Sequence, residues 1–445
     1  MTDLLSEISF FDPETNDCPY RAHALLRDHA PVWKDRFTGM YVVTRYDDVR
    51  AILSDVERFS NQVSGAATFS KNVIQPDDPE RARELMAALE QDREIQRLYE
   101  SEGTLPAPTM DALDDPKHFA LRNAFEAAFR PAAIAALDPF IEALAHRLID
   151  AFVDRGRCEF VAEFAVPLPL FSIGRQMGIS EEMMLRIKPW TEAFVQRLGL
   201  MQTPAERLWS ARQEIEFQKF FMPVYERLRR EPDGSLLSEL VNRPIPEWGR
   251  PLTDAELNSE MMIDFMVGGS ETTTNALSAG VVFLAGDYAL QERLASDIDT
   301  LLPVFLEEVL RLESPVQSLL RQARVDVEIH GVTIPAGGVI NLRYGAANRD
   351  DRQYACPASI DLGRRRARSH LAFGAGAHVC LGAPLARREL HFGFKVILER
   401  LSDLRLESPS HRLSYHPNYF LRSLKDLPIA FRRRSDQRSH DMLDA

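Results

Sequence analysis

The stretch "FGAGAHVCLG", Phe373 to Gly382, contains a single thiol, Cys380, two residues after a histidine and two residues before a glycine. The run has too many glycines to form a helix. Pro384 suits the first turn of a following helix, so Cys380 is predicted to lie just before a helix N-terminus. Free N–H groups and the positive end of the helix dipole at such a position stabilise a thiolate.

Three interpretations of this thiol are open. A lone cysteine is commonly a small buried hydrophobic residue. A zinc site built on His378 and Cys380 needs two further ligands at suitable spacing, and only His370 is near. Neither interpretation explains the glycines at positions 374, 376 and 382, which allow backbone to approach a flat partner. A metal with one protein thiolate ligand and a large planar partner does explain them, and haem iron meets that description.

Composition sets the class of protein. The chain has 445 residues, 45% of them hydrophobic, and a net charge of -13, which argues against a general nucleic-acid binder. Length alone suggests about three domains at ~150 residues each. Four cysteines without a CxxC pair indicate a reducing, cytoplasmic compartment. The N-terminus lacks a basic and an apolar region, and no apolar run approaches the roughly 18 residues of a membrane span, so we expect neither export nor membrane attachment.

The pattern along the chain predicts one α-rich domain, residues 1–445, with a minor β part. It begins with a strand at Met40 to Arg45 that leads into a helix capped by an aspartate. The expected parts are a β-containing N-terminal part at about 30–60, a helical body at about 114–314, a β part with the cysteine loop at about 315–382, a C-terminal helix and strands at 383–431, and a frayed tail at 432–445. The segment from Ser60 to Asp114 is long, and "RARELMAALEQDREIQRLYESE" within it predicts either an extra lid helix or a mobile insertion.

The extended stretch "FGAGAHVCLGAPLARRE" resembles the haem-binding signature of the cytochrome P-450 family, in its soluble bacterial type. The fixed positions of the family pattern F-G-x-G-x-H-x-C-x-G are met by Phe373, Gly374, Gly376, His378, Cys380 and Gly382. The resemblance implies the cytochrome P-450 fold, an α-rich triangular prism. It also implies haem b between a long central helix and the helix after the cysteine loop, with Cys380 as the axial ligand of the iron and with Phe373 and Gly374 against the haem.

The stretch "MVGGSETTTNAL" is similar to the family's central helix, which carries an acid and an alcohol beside the oxygen site. By resemblance, Thr272 is the hydroxyl and Glu271 the proton relay, while Gly268 and Gly269 leave room for oxygen. Asp264 shares a helical stripe with Gly268 and Thr272. We expect Asp264 either to reach a polar or cationic group of the substrate, to hold pocket water, or to turn aside into an ion pair.

The stretch "FLEEVLRLESP" contains the family's E-x-x-R pair as Glu308 and Arg311, which at i and i+3 share a helix face. The family adds a third residue, usually an arginine, from the segment before the haem loop. Ser359 stands at that position here, so the third partner is open.

Four basic side chains match the positions at which the family binds haem propionates. His118 and Arg122, at i and i+4, match its H-x-x-x-R segment, and Arg321 and His378 complete the set. Taken singly, each would be read as a solvated charge.

The resemblance implies a monooxygenase that inserts one oxygen atom of O2 into a C–H bond of a small to medium, largely apolar substrate. By position we expect Val267, Leu319 and Phe420 to line its pocket. Electrons would come from a separate ferredoxin and its reductase, docking on arginines around the cysteine loop, with a plain solvated surface as the alternative: Arg364, Arg365, Arg366, Arg368, Arg387 and Arg388. A peroxide-driven peroxygenase and a non-catalytic haem-thiolate sensor are the other function classes, and neither needs both the acid and alcohol pair and a docking surface.

Overall fold

The computed structural model of the chain describes residue 5, residues 7–63 and residues 79–434. Helices dominate it. They are α1 (Pro13–Asp17), α2 (Tyr20–His29), α3 (Tyr46–Ser54), α4 (Pro79–Glu102), α5 (Lys117–Glu126), α6 (Pro131–Ala135), α7 (Asp138–Asp150), α8 (Pro167–Met177), α9 (Glu181–Leu198), α10 (Pro204–Arg230), α11 (Leu236–Asn242), α12 (Asp254–Glu260), α13 (Gly268–Gly286), α14 (Tyr288–Ser296), α15 (Ile298–Glu313), α16 (Tyr344–Ala347) and α17 (Ala383–Arg400).

The strands form three small sheets. They are β1 (Val32–Lys34), β2 (Tyr41–Val43), β3 (Phe59–Ser60), β4 (Arg157–Glu159), β5 (Ser318–Ala323), β6 (Val327–Ile329), β7 (Val332–Ile334), β8 (Val339–Arg343), β9 (Leu401–Leu406) and β10 (Pro428–Arg433). The largest sheet has the order β1-β2-β8-β5-β3, in which β2 and β8 are parallel and the other pairs antiparallel. The other two sheets have the order β4-β10-β9 and the hairpin β6-β7.

The centre of the molecule is one continuous helical rod made of α12, the π-helical segment Met261–Val267 and α13. Helix α17 crosses α13 so closely that a Cβ atom at Gly280 would lie 2.2 Å from the ring of Phe394. The main hydrophobic core is built from α5 to α15 and α17 around this crossing. The rod and α17 thereby fix the positions of the central helix and of the loop that precedes α17.

Capping residues explain several helix starts. Thr203 before α10 and Thr253 before α12 each form a capping box with the glutamate three residues on. The aspartate cap expected for α3 is wrong, because Arg45 occupies the N-cap and the N–H of Tyr46 donates to the distant Asp350 at 3.0 Å. The donor is satisfied by a side chain that the local sequence cannot reveal.

The elements differ from the expected parts of the chain at three points. The strand expected at Met40 to Arg45 is shorter, and the helical body also contains β4. Strand β10 extends to Arg433, two residues into the stretch expected to be frayed, and residues 435–445 lie outside the described part. That residues 1–445 form a single domain stays a prediction.

The long segment after Ser60 does contain a helix, α4, which packs on α10. Ile95, Leu98 and Tyr99 form a small apolar cluster with Ala211 and Ile215. None of the described residues of α4 lines the main cavity, so the lid role stays a prediction. Among the described helices, none combines the length and the apolar character needed to cross a bilayer.

Candidate functional site

A cavity of about 290 Å³ lies between the central rod, strand β5 and the loop before α17. Its walls are largely apolar. The apolar side chains include Phe125, Phe129, Ile173, Phe265, Leu310 and Leu385. Polar groups reach the cavity at a few points only, and these include most of the residues singled out from the sequence.

Cys380 lies on the cavity wall immediately before α17, as the sequence predicts. Its N–H donates to the carbonyl of Phe373 at 2.9 Å, which closes the loop that carries the thiol. Cys380 presents its surface to the cavity, and burial among protein atoms raises the pKa of the thiol, while the backbone N–H groups of Gly382 and Ala383 lower it. A cation at the sulfur would add to the effect of those N–H groups and favour the thiolate.

The loop glycines serve different purposes. Gly376 has φ +72°, and a Cβ atom there would lie 2.3 Å from the carbonyl oxygen of Leu53 at the end of α3. Its lack of a side chain therefore admits α3 rather than a planar ligand, which corrects the expectation for this glycine. Gly374, with φ +69°, and Gly382 do line the cavity together with Phe373.

Four basic side chains meet at the same cavity: His118, Arg122, Arg321 and His378. The rings of His118 and His378 stack with centroids 3.8 Å apart. Burial, and then the charges of His118, Arg321 and Arg122, lower the pKa of His378 to about 3.

These groups lack carboxylate partners of their own, apart from one contact. His118 Nδ1 lies 3.0 Å from Asp115 Oδ1, whereas its buried Nε2 has no partner. Among the described residues, Arg122 and Arg321 form no ion pair. Basic groups that meet at one cavity, with a single carboxylate contact between them, indicate a site for an anionic group.

The central rod forms another wall. Asp264, Gly268 and Thr272 all line the cavity, as their shared stripe predicts, although Asp264 lies in the π-helical segment. The Thr272 hydroxyl donates to the Gly268 carbonyl at 2.9 Å. Gly269 also reaches the wall, but a Cβ atom there would meet Ile173 at 2.9 Å, so its small size lets α8 approach the rod.

Glu271 does not line the cavity. It is buried beside the rod, where the ammonium group of Lys188 on α9 donates to its carboxylate. Lys188 also lies 3.4 Å from Glu192. The acid next to Thr272 is therefore held as an ion pair between two helices.

Of the three apolar side chains expected in the pocket, one lines the cavity and two do not. Leu319 on β5 lines the cavity. Val267 is buried in the main core and Phe420 packs against Tyr419, so both lie outside the cavity wall and those two expectations are wrong. Val267 falls on a different face of the rod from Gly268. Its place in the chain alone, on which the expectation rests, does not show which face of the helix it occupies.

Comparison with known proteins agrees with this geometry. The family model for cytochrome P450 matches residues 184–422. A steroid C26-monooxygenase of Mycobacterium tuberculosis is 31% identical over 92% of this chain and 93% of its own length. Cytochrome P450 CYP107DY1 of Priestia megaterium is 32% identical over 88% of this chain and 89% of its own length. The structure of a cytochrome P450 from Chondromyces apiculatus superposes with a TM-score of 0.78 at 31% identity, covering 97% of this chain and all 100% of that chain.

The chain belongs to the cytochrome P450 family. This cytochrome P450 is a monooxygenase and binds haem b, as the resemblance implies. The cavity fits that cofactor, because its lining combines one thiol, largely apolar walls and four basic groups, which suit an iron porphyrin with two propionates. The alternative of a zinc site finds no support, since the described residues hold no suitable cluster of three ligands.

The E-x-x-R pair of this P450 is completed in an unexpected way. Arg311, fully buried, donates to Glu308 through Nε at 2.8 Å and Nη2 at 2.9 Å. Ser359 contributes only its carbonyl, which accepts from Arg311 at 3.1 Å. The third side chain is Arg364, whose Nε donates to Glu308 at 2.8 Å.

The preceding residue, Glu307, binds a second set of groups. It accepts from Arg387 on α17 at 2.7 and 3.0 Å and lies 2.9 Å from His370. Burial would raise the pKa of Glu307, but hydrogen bonds and the charges of His370 and Arg387 lower it to about 2. Glu307 and Glu308 thus hold the loop before Cys380 from adjacent positions on α15.

The six arginines of the expected docking surface fall into two groups, those paired with carboxylates and those that are exposed. Arg364 turns inward to Glu308, which removes it from the surface, and Arg387 and Arg388 pair with Glu307 and Asp138. The exposed members are Arg365, Arg366 and Arg368. The basic surface is therefore smaller than the sequence suggests.

Three acidic residues of the cavity region escaped the sequence prediction: Asp111, Glu260 and Glu389. Asp111 and Glu389 line the cavity, and Glu260 is buried one turn before Asp264. Burial raises the pKa of Glu389 well above its usual range, although the nearby Thr273 hydroxyl lowers it. The signal available was the i, i+4 spacing of Glu260 and Asp264, which places two carboxylates on one face.

Proposed function

We propose that this cytochrome P450 inserts one oxygen atom of O2 into a C–H bond of a small to medium, largely apolar organic substrate. Electrons come from a separate ferredoxin and its reductase. The observation that carries the proposal is that the thiol of Cys380 and the hydroxyl of Thr272 face the same apolar cavity. The relatives named steroid C26-monooxygenase, and the P450 solved in complex with an acyl carrier protein ligated to hexadec-9Z-enoic acid, support an apolar substrate.

Haem would be held by the cysteine loop and by the basic side chains of the cavity. Cys380 would supply the thiolate ligand of the iron, and Phe373 and Gly374 line the cavity beside it. The propionates would be bound by four basic residues: His118, Arg122, Arg321 and His378. The haem would supply the iron at which dioxygen is activated.

Thr272 and Glu271 deliver protons. The Thr272 hydroxyl rests on the Gly268 carbonyl and can rotate its proton towards the cavity without moving the helix. Glu271 is the preceding residue, and its carboxylate, which accepts from Lys188 outside the cavity wall, relays protons towards Thr272. The apolar walls exclude other water from the reaction.

Electrons enter through the face that carries the cysteine loop. The exposed Arg365, Arg366 and Arg368 attract the acidic surface of a ferredoxin. Because Arg364 neutralises an internal carboxylate, it takes no part in docking.

The first experiment tests the ligand. The reduced protein with carbon monoxide is expected to show the red-shifted Soret band of a thiolate-ligated haem. Cys380→Ser should abolish that band, whereas the exposed Cys356→Ser should keep it. A normal band in Cys380→Ser would reject the proposal.

The second experiment separates the three function classes. A monooxygenase turns over with ferredoxin, reductase and dioxygen, a peroxygenase with peroxide alone, and a sensor with neither. Thr272→Ala should consume electrons with little product and Thr272→Ser should restore product, because serine returns the hydroxyl. Equal product yield in both variants would reject the role of Thr272.

The third experiment tests docking. Charge reversal in Arg365→Glu should raise the KM for ferredoxin and weaken its salt dependence, with peroxide-driven turnover unchanged. Arg157→Glu, at an exposed position of strand β4, serves as the control. An equal effect of both variants would reject the docking surface.

A further inference from the structure

Arg387, which the sequence places at the docking surface, is held by the buried carboxylate of Glu307 instead. Its Nε and Nη2 donate to the two oxygens of Glu307 at 2.7 and 3.0 Å, a bidentate pair between α17 and α15. The Glu307 side chain is 5% exposed and the Arg387 side chain 26% exposed. Because both residues lie on helices, this pair fixes the direction of the guanidinium group.

The Arg387 guanidinium lies over the ring of Phe373. Its central carbon is 4.6 Å from the ring centroid, within the range of a cation–π contact. Phe373 lines the cavity, and its carbonyl accepts from the N–H of Cys380 at 2.9 Å. Arg387 therefore contacts the residue to which the backbone of the thiol is hydrogen-bonded.

Glu307 also holds a second neighbour of the Phe373 ring. The ring of His370 lies 6.0 Å from that of Phe373, tilted by 40°. His370 Nε2 lies 2.9 Å from Glu307, and its Nδ1 accepts from the N–H of Ala372 at 3.2 Å. Gly374, which follows Phe373, has φ +69°, so the backbone at this point is permissive. The position of the ring depends on two groups that one buried carboxylate places.

The contact also brings charge to the cysteine loop. Burial raises the pKa of Glu307, but its hydrogen-bond partners lower it to about 2, so the carboxylate is ionised at neutral pH. A second guanidinium reaches it, since Arg368 Nε lies 3.3 Å from Glu307 with a side chain that is 75% exposed. Glu307, Arg387 and Arg368 together carry a net positive charge, and Arg387 is the member that touches the loop.

We infer that Arg387 is a positioning residue for the thiolate: through Phe373 it fixes the loop that carries Cys380, and its charge raises the reduction potential of the bound haem. The inference rests on the proposed function, in which Cys380 ligates the iron. Reduction adds one electron to the iron site, so a nearby positive charge favours the ferrous form. The electron is the one that the ferredoxin supplies, and no bond forms or breaks in this step.

The next residue on α17 supplies an internal control. Arg388 also forms a bidentate pair, in which its Nε donates to Asp138 at 2.7 Å and its Nη2 donates to the second oxygen. Its guanidinium carbon lies 4.8 Å from the centroid of Phe392. Phe392 belongs to the main hydrophobic core and not to the cysteine loop. The two arginines thus share the same kind of contacts and differ in the phenylalanine that they cover.

Four variants of the haem-loaded protein test the charge: Arg387→Met, Glu307→Gln, Arg388→Met and Asp138→Asn. The reduction potential is measured by spectroelectrochemical titration without a redox partner. Arg387→Met should raise the ferric-to-ferrous ratio at a fixed potential by about tenfold, a fall of 59 mV for one electron. Glu307→Gln should shift the potential upwards, because it removes the negative member of the pair. The variants of Arg388 and Asp138 should keep the wild-type potential.

Arg387→Lys separates position from charge. Lysine keeps the positive charge but lacks the planar fork that pairs with Glu307 and covers the ring. This variant should keep a potential close to that of the wild-type protein. In mild urea, however, it should lose the red-shifted Soret band of the reduced carbon monoxide adduct several-fold faster, as Arg387→Met should. Arg388→Met should lose that band at the wild-type rate.

The outcomes distinguish the inference from the proposed function. Equal potentials in Arg387→Met and Arg388→Met, or shifts of the same sign in Arg387→Met and Glu307→Gln, overturn the inference. If the wild-type protein shows the red-shifted band, such a result rejects the role of Arg387 alone. Absence of that band from the wild-type protein rejects the proposed function itself. Where Arg387→Met does not load haem, a potential in Glu307→Gln no higher than in Asp138→Asn overturns the inference.

Discussion

Replacing Arg364 with alanine is expected to destabilise the cysteine loop, whereas replacing its neighbour Arg365 is not. The Arg364 side chain is 10% exposed and donates to Glu308 at 2.8 Å. Both of its terminal nitrogens also lie 3.2 Å from the carbonyl of Ala355. Arg365 is exposed and forms no ion pair with a described residue.

The loss of folding stability expected for Arg364→Ala follows from these contacts. A hydrogen bond between charged groups is worth about 1.5–3 kcal/mol and one to a carbonyl about 0.5–1.5 kcal/mol. Glu308 keeps Arg311 as a partner, so no buried charge is orphaned in Arg364→Ala. The expected loss of stability is therefore about 2–4 kcal/mol. Arg311→Met should cost more, about 3–5 kcal/mol, because it removes the bidentate partner of a buried carboxylate.

Thermal unfolding of the haem-loaded protein, followed by circular dichroism, measures the effect. For 445 residues the unfolding entropy of ~2.1 cal/mol/K per residue gives roughly 0.9 kcal/mol/K, so Arg364→Ala should lower Tm by about 2–4 °C. Arg365→Ala should leave Tm unchanged. If the two variants melt together, Arg364 does not stabilise Glu308 as the geometry implies.

Three further changes test other parts of the structure. Lys188→Met should destabilise the protein by about 3 kcal/mol, because it leaves the carboxylate of Glu271 buried without its cation. Glu389→Gln should flatten the dependence of Tm on pH: the folded-state pKa of Glu389 is raised, so its contribution to stability is present below about pH 4.5 and is lost as pH rises towards the folded value. Gly376→Ala should lower Tm by strain at φ +72° and a clash with backbone, whereas Gly286→Ala, in open space at a helix end, should be neutral or stabilising.

Exposed residues supply matched controls for Lys188→Met and Glu389→Gln. Lys219→Met removes an exposed ammonium group and should leave Tm unchanged; an equal loss in both lysine variants would contradict the buried pair. Glu399→Gln, exposed on the same helix as Glu389, should leave the pH profile as in the wild-type protein. A profile that Glu389→Gln does not alter would show that Glu389 is ionised in the folded protein.

The elements that depend on local pattern were predictable. The helix at Pro384, the helix within the long segment after Ser60 and the strand near Val42 follow from periodicity and turn residues. The start of α3 was not predictable in this way, because its first N–H donates to Asp350, some three hundred positions away in the sequence. Long-range partners of this kind leave no local signal.

In the candidate site too, local sequence patterns predict some positions but not the long-range partners. Cys380, Thr272 and the basic residues line one cavity, and a motif and a helical stripe specify their faces. Arg364 lies in an irregular run of arginines with no period, so nothing in the sequence shows which one turns inward to replace the side chain missing at Ser359. The expectation for Val267 rests on its position in the chain alone, which does not show that its side chain packs into the main core.

The adjacent carboxylates Glu307 and Glu308 have a consequence for how the molecule opens. Through His370, Arg387 and Arg364 they connect an irregular loop to a buried helix at two successive residues. Separating the loop from α15 would expose several charges at once, so the two should open as a single cooperative unit. Amide protons of this loop should then exchange with solvent as slowly as those of the helix behind it, although the loop has no regular backbone ladder of its own.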